Sequence, residues 1–127
     1  MKVDDFVNGL KGKEFAEVTE ILRQHVENGY IPIMSKKACA ERIIEQTCYE
    51  DGRFRVDSVA KFVWTCMTML QLYTDIESED IVADFDKLNE AWIFDLLLKE
   101  IEEHEMREFN TVVDMVFSDA MLEEKGV

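Results

Sequence analysis

The sequence predicts an all-α fold, a compact single-domain bundle of five to seven helices over residues 1–127. Three observations carry that expectation. Apolar residues recur at three- and four-residue steps in successive windows, the spacing that lines one face of an α-helix. Capping and breaking residues punctuate the windows, among them Gly29, Pro32, Ser35, Asp51-Gly52 and Asp57-Ser58. Polar and apolar residues alternate over residues 53–56, but one strand cannot make a sheet, so this stretch is expected to be a connection. With 47% apolar and 33% charged residues, the 127-residue chain has the mix of a folded domain. A chain near this size buries roughly two-thirds of its unfolded surface.

The elements follow in order. A short helix over residues 3–10 uses Phe6 and Leu10. Residues 13–28 place Phe15, Val18, Leu22 and Val26 on one face, and Gly29 follows as the expected C-terminal cap. Pro32 pushes Ile31 off helical angles, which makes residues 30–33 an extended linker. Ser35 reads as the N-cap of a helix through Cys48, with Cys39, Ile43, Ile44 and Thr47 inward and Asp51-Gly52 ending it. Asp57 or Ser58 caps the most apolar helix, which runs to about Thr74. Its predicted inner face is Val59, Phe62, Val63, Cys66, Leu70 and Tyr73, thickened by Trp64, Met67 and Met69. So apolar a helix belongs at the centre of a bundle. The acidic loop 75–80 leads to a helix with Ile81, Phe85 and Leu88, and then to one with Trp92, Ile93, Leu96 and Leu97, either separate or continuous. Trp92 and Phe94 cannot both share Ile93's inner face, so one of them meets a partner or a packing corner. The last helix, residues 103–123, buries Met106, Phe109, Val113, Val116 and Ala120.

Patterns that would carry chemistry are weak. Glu100 and Glu108 fall one turn either side of His104, but Ile101 breaks the Glu-x-x-His spacing that diiron bundles use. His104-Glu105 also lacks the second histidine of a zinc-protease helix. His25 has no carboxylate one turn away. Ser35, Ser58 and Ser78 stand where helix caps belong, and Gly9 and Gly12 lack the lysine-serine pair of a phosphate loop. No catalytic residue, metal ligand or cofactor is expected. Cys39, Cys48 and Cys66 are odd in number and form no CxxC pair, which fits a reducing compartment. No apolar run approaches the roughly 20 residues of a membrane span, and residues 1–10, with Asp4 and Asp5, carry no export signal.

Charge is the informative total. The net charge is −14. Residues 1–63 hold ten basic and eleven acidic side chains, whereas residues 64–127 hold four and seventeen. Such a field repels nucleic-acid phosphates and attracts basic partners within a Debye length of about 8–10 Å. The expected partner-binding surface is Asp75, Glu77, Glu79, Asp80, Glu100, Glu102, Glu103 and Glu105. Lys36, Lys37, Arg53 and Arg55 cluster in the neutral half and could meet the acidic half of a neighbouring copy. Head-to-tail contacts of that kind build rings or filaments.

Three stretches add a resemblance. These are Tyr30-Ile31-Pro32 leading into an alanine-containing helix, Phe54-Arg55-Val56-Asp57-Ser58 leading through Trp64 to Leu72-Tyr73-Thr74-Asp75-Ile76-Glu77, and Glu108-Phe109-Asn110-Thr111-Val112-Val113-Asp114-Met115-Val116. In this order, over much of residues 30–120, the chain resembles small acidic helical proteins of tailed bacteriophages and prophages of Gram-positive bacteria. The resemblance implies a non-enzymatic protein of virion structure or assembly, in the bacterial cytoplasm or the particle: a neck adaptor, a capsid-associated protein or an assembly factor. Its partners would be phage structural proteins or further copies of itself, with no direct nucleic acid and no membrane. The acidity also allows another class, an inhibitor that imitates nucleic acid before a host nuclease or other DNA-binding protein.

Overall fold

The structure, a computed structural model, describes residues 1–126. Its helices are α1 (Val3–Asn8), α2 (Phe15–His25), α3 (Ile33–Thr47), α4 (Ser58–Tyr73), α5 (Ile81–Glu90), α6 (Ile93–Glu100) and α7 (Glu103–Glu124). Between α3 and α4 lies a two-stranded hairpin, β1 (Tyr49–Glu50) and β2 (Arg53–Phe54). The all-α class holds, with seven helices among the described residues.

Several boundaries differ from expectation for local physical reasons. The pair Asp51-Gly52 ends no helix but makes the hairpin turn, both residues taking positive φ (52° and 77°). Asp-Gly favours that mirror-image turn, so residues 53–56 find their strand partner immediately upstream. Helix α2 stops at His25, before Gly29, because Val26 turns extended to pair with Thr74, and Glu27 N donates to Tyr73 O at 2.7 Å. Ser35 does not cap α3. The helix starts three residues earlier, with Pro32 in the cap position, where the Ser35 and Lys36 amides both donate to Pro32 O at 3.0 Å. Asp57 does cap α4, accepting from Ala60 N at 3.0 Å, and Asp80 caps α5 in the same way.

α5 and α6 are separate helices. Trp92 breaks them apart in the left-handed region (φ 63°) with its ring pointing outward, while Ile93 and Phe94 are buried. A left-handed backbone costs a non-glycine residue about 1–2 kcal/mol. Trp92→Gly is therefore expected to raise the urea midpoint by an amount equivalent to about 1 kcal/mol, glycine's looser unfolded chain offsetting part of the gain.

The core gathers Leu22 from α2, Ile43 from α3, Met67, Leu70 and Tyr73 from α4, Leu88, Ile93 and Leu97 from α5 and α6, and Phe109 from α7. The segment after α4 ties the ends together. Asp75 N donates to His25 O, Val3 N to Glu77 O, and Glu77 N to Met1 O. α3 and α7 run parallel, since Lys36 meets Glu105 and Glu108 at one end and Tyr49 lies in the field of Glu123 at the other.

The largest packing surprise is α4. Its buried residues begin only at Met67 and include Met69, Leu70 and Tyr73. Val59 and Phe62, predicted inward, are 74% and 60% exposed. The amino-terminal half of this most apolar helix is covered along its flanks, where Arg42 lies over Trp64 and Lys61 over Phe117, and it stays open elsewhere. Phe15, also predicted inward, is exposed at the first turn of α2.

Candidate interaction surface

The acidic stretch nominated by sequence is mostly occupied by the protein's own cations. His25 Nδ1 lies 2.7 Å from Asp75 Oδ1. Lys2 Nζ reaches Glu79 at 2.8 Å and Glu77 at 3.6 Å, and the Glu79 hydrogen bond raises the Lys2 pKa above its usual value. Arg23 Nε holds both oxygens of Glu100 at 2.9 and 3.0 Å, which takes Glu100 away from His104. Asp80 is spent on its cap. Behind it the buried carboxylate of Asp84 accepts from Ser78 Oγ (2.7 Å), Glu79 N (3.1 Å) and Asp80 N (3.3 Å), fixing the loop. Burial would raise the Asp84 pKa, but these donors outweigh it and hold the carboxyl below its usual value. Of the eight carboxylates, Glu102 and Glu103 alone stand exposed at the start of α7 with no ion pair or cap among the described residues.

Two nominated residues are not on the surface at all. Lys36 and Glu105 are 0% and 1% exposed and face each other inside the bundle. Lys36 Nζ donates to Glu105 Oε1 and to Glu108 Oε1, both at 2.8 Å, and lies 4.8 Å from the centre of the Tyr30 ring. The other oxygen of Glu105 accepts from Tyr73 Oη at 2.5 Å and Ile31 N at 3.2 Å. Burial alone would discharge both ions. The hydrogen bonds win, so the Lys36 pKa ends above its usual value and that of Glu105 below. Burial, and then Glu105, push the Tyr73 phenol far up, which keeps it a neutral donor.

The predicted basic patch therefore does not form as a unit. Lys36 is internal, and Lys37 is exposed on α3. Arg53 and Arg55 sit on the hairpin, where Arg55 is 3.3 Å from Glu50.

What the structure adds is an apolar surface. Along the open side of α4, Val59 and Phe62 are exposed and Val63 and Cys66 half-buried. The Phe62 ring stands edge-on to Phe85 (5.9 Å), which stacks on Phe94 (5.2 Å), so an aromatic ladder runs from the core to the surface. Burial pushes the Cys66 thiol up to about 11, with Asp95 adding to the effect, so it stays protonated and behaves as an apolar group. The sequence signal for this face was present: α4 has more apolar residues than one inner stripe can use.

Compared with protein families, curated proteins and solved structures, the chain finds no match in any of the three. No helix among the described residues is long and apolar enough to cross a membrane.

Proposed function

We propose that this is a non-enzymatic binding protein that acts through protein–protein contacts, and that the open side of α4 is its principal contact surface. The observation that supports the reading most is the pair of exposed side chains Val59 and Phe62, one turn apart beside the half-buried Val63 and Cys66. Contiguous exposed apolar side chains on a folded chain mark surfaces that another protein covers. Phe62 has the character of an interface anchor, an aromatic ring already braced from behind by Phe85. The chain's net charge of −14 would then steer the approach of a partner rather than supply most of the affinity.

The resemblance to phage and prophage proteins supports reading this activity as part of virion structure or assembly, with a virion protein or a further copy as the partner. Light scattering over a range of concentrations, alone and with tailed-phage structural proteins, tests the reading. The expected result is a defined oligomer or complex that Val59→Ser/Phe62→Ser dissolves while the circular dichroism stays helical. A monomer at every concentration that binds none of those proteins would remove the proposal's support. Competition with DNA for a nuclease, weakening as salt rises, would favour the nucleic-acid mimic instead.

A further inference from the structure

Four unpaired carboxylates gather where the sequence did not point. Parallel helices α3 and α7 enclose an open groove of about 430 Å³. Its floor is Ile44, Val116 and Ala120, and Tyr49 lies at its far end. Glu41 and Glu45 line the α3 wall, and Asp119 and Glu123 the α7 wall. None of these four has an ion pair among the described residues, unlike five of the eight carboxylates the sequence nominates, Asp75, Glu77, Glu79, Glu100 and Glu105. Members of each pair stand four residues apart, one helical turn or about 6 Å along the axis. Lys37 is the one cation among the lining residues and stands at the end opposite Tyr49. The Tyr49 phenol registers the local field: burial raises its pKa first, and the charges of Glu123 and Glu124 raise it further.

We propose that this groove docks a basic amphipathic helix of a partner protein, its apolar ridge on the half-buried Val116 and Ala120 above the buried Ile44 and its cations against Glu41, Glu45, Asp119 and Glu123. Two acid rails one helical turn in spacing, flanking an apolar floor, complement a helix that carries lysine or arginine at i and i+4 on both sides of an apolar stripe. A helix from a second copy does not meet that requirement. α3 has exposed cations at Lys37 and Arg42, five residues apart, and every other helix has at most one. The occupant is therefore a different chain. This inference does not rest on the α4 face, which is built on other residues.

The probe is a labelled peptide of ~18 residues, about five turns, made of lysine, leucine and alanine in that pattern, with a scrambled peptide of the same composition beside it. Fluorescence anisotropy with the full chain at physiological salt is expected to show the patterned peptide bound at least about tenfold more tightly than the scramble. Glu45→Lys/Asp119→Lys should abolish that preference. Glu102→Lys/Glu103→Lys changes the net charge equally at exposed sites elsewhere and should leave it intact. Val59→Ser/Phe62→Ser should also leave it intact, which separates this proposal's failure from failure of the α4 reading. If the charge reversals unfold the chain, Glu45→Gln/Asp119→Gln repeats the test with a smaller loss in the same direction. Equal binding of the two peptides, or equal losses in both reversed variants, would show only a diffuse field and overturn the proposal. Self-association that displaces the peptide and disappears in Arg53→Glu/Arg55→Glu would overturn it too, by making the hairpin of a second copy the occupant.

Discussion

Lys36→Met is expected to destabilise the protein by about 3–5 kcal/mol in urea unfolding, the typical cost of removing one partner from a buried ion pair. The size comes from what is left behind. Glu105 would remain buried between Tyr73 and Ile31 as an anion whose nearest cation is gone. Adding Glu105→Gln to Lys36→Met should therefore recover part of the loss, because the amide oxygen still accepts from Tyr73 and Ile31 N while the stranded charge disappears. A double-mutant cycle measures that coupling, and strictly additive single effects would contradict the geometry.

The same cluster sets a pH signature. The Glu105 pKa is lowered from its ordinary value near 4.5, so the pair's contribution is present above that value and lost as pH falls through the lower folded one. Lys36 and Tyr73 are raised from 10.5 and 10.0, so their contributions hold below those values and fade above them. The stability difference between the native chain and Glu105→Gln should accordingly be flat from about pH 6 to 9 and shrink in acid. A difference that grew on acidification would contradict the assignment.

Phe109→Ala should cost about 3–5 kcal/mol, the range for emptying a fully buried aromatic site. Phe109 is 1% exposed in the first half of α7, where that helix packs along α3. Met115 lies less than two turns further along the same helix and is 60% exposed. Met115→Ala should therefore change stability by less than about 0.5 kcal/mol. Urea midpoints for the two variants read the orientation of α7 directly, and similar losses would mean that the helix is rotated from its described face.

Local patterns predicted local structure well. The cap at Asp57, the helix at residues 103–123 and the inward Ile43, Ile44 and Phe109 all follow from spacing and capping chemistry that a single stretch contains, whereas α5 is capped by Asp80 and not by Ser78, which bonds Asp84. Misreadings occurred where a residue's fate depends on a distant one. Asp75 meets a histidine 50 positions away, Glu100 an arginine 77 away, and Lys36 a glutamate 69 away. Counting charges by half-chain cannot see such pairs, so part of the acidic half is spent on internal contacts, while Glu41, Glu45, Asp119 and Glu123 have no ion pair among the described residues. The same holds for α4. Periodicity marks a helix's apolar side, but how far along it the neighbours reach is a tertiary fact, and here cover begins at Met67. The hairpin was legible in principle from Asp51-Gly52, whose turn chemistry outweighs its reading as a helix stop.

On the proposed reading, this chain works by presenting the open face of α4 to another protein. Density-gradient sedimentation of particles assembled in cells, with the native chain beside Val59→Ser/Phe62→Ser, tests it most directly. The account predicts that the native chain travels with the assembled structural proteins and that the variant, still helical, stays at the top of the gradient. Comigration of both chains, or of neither, would contradict it.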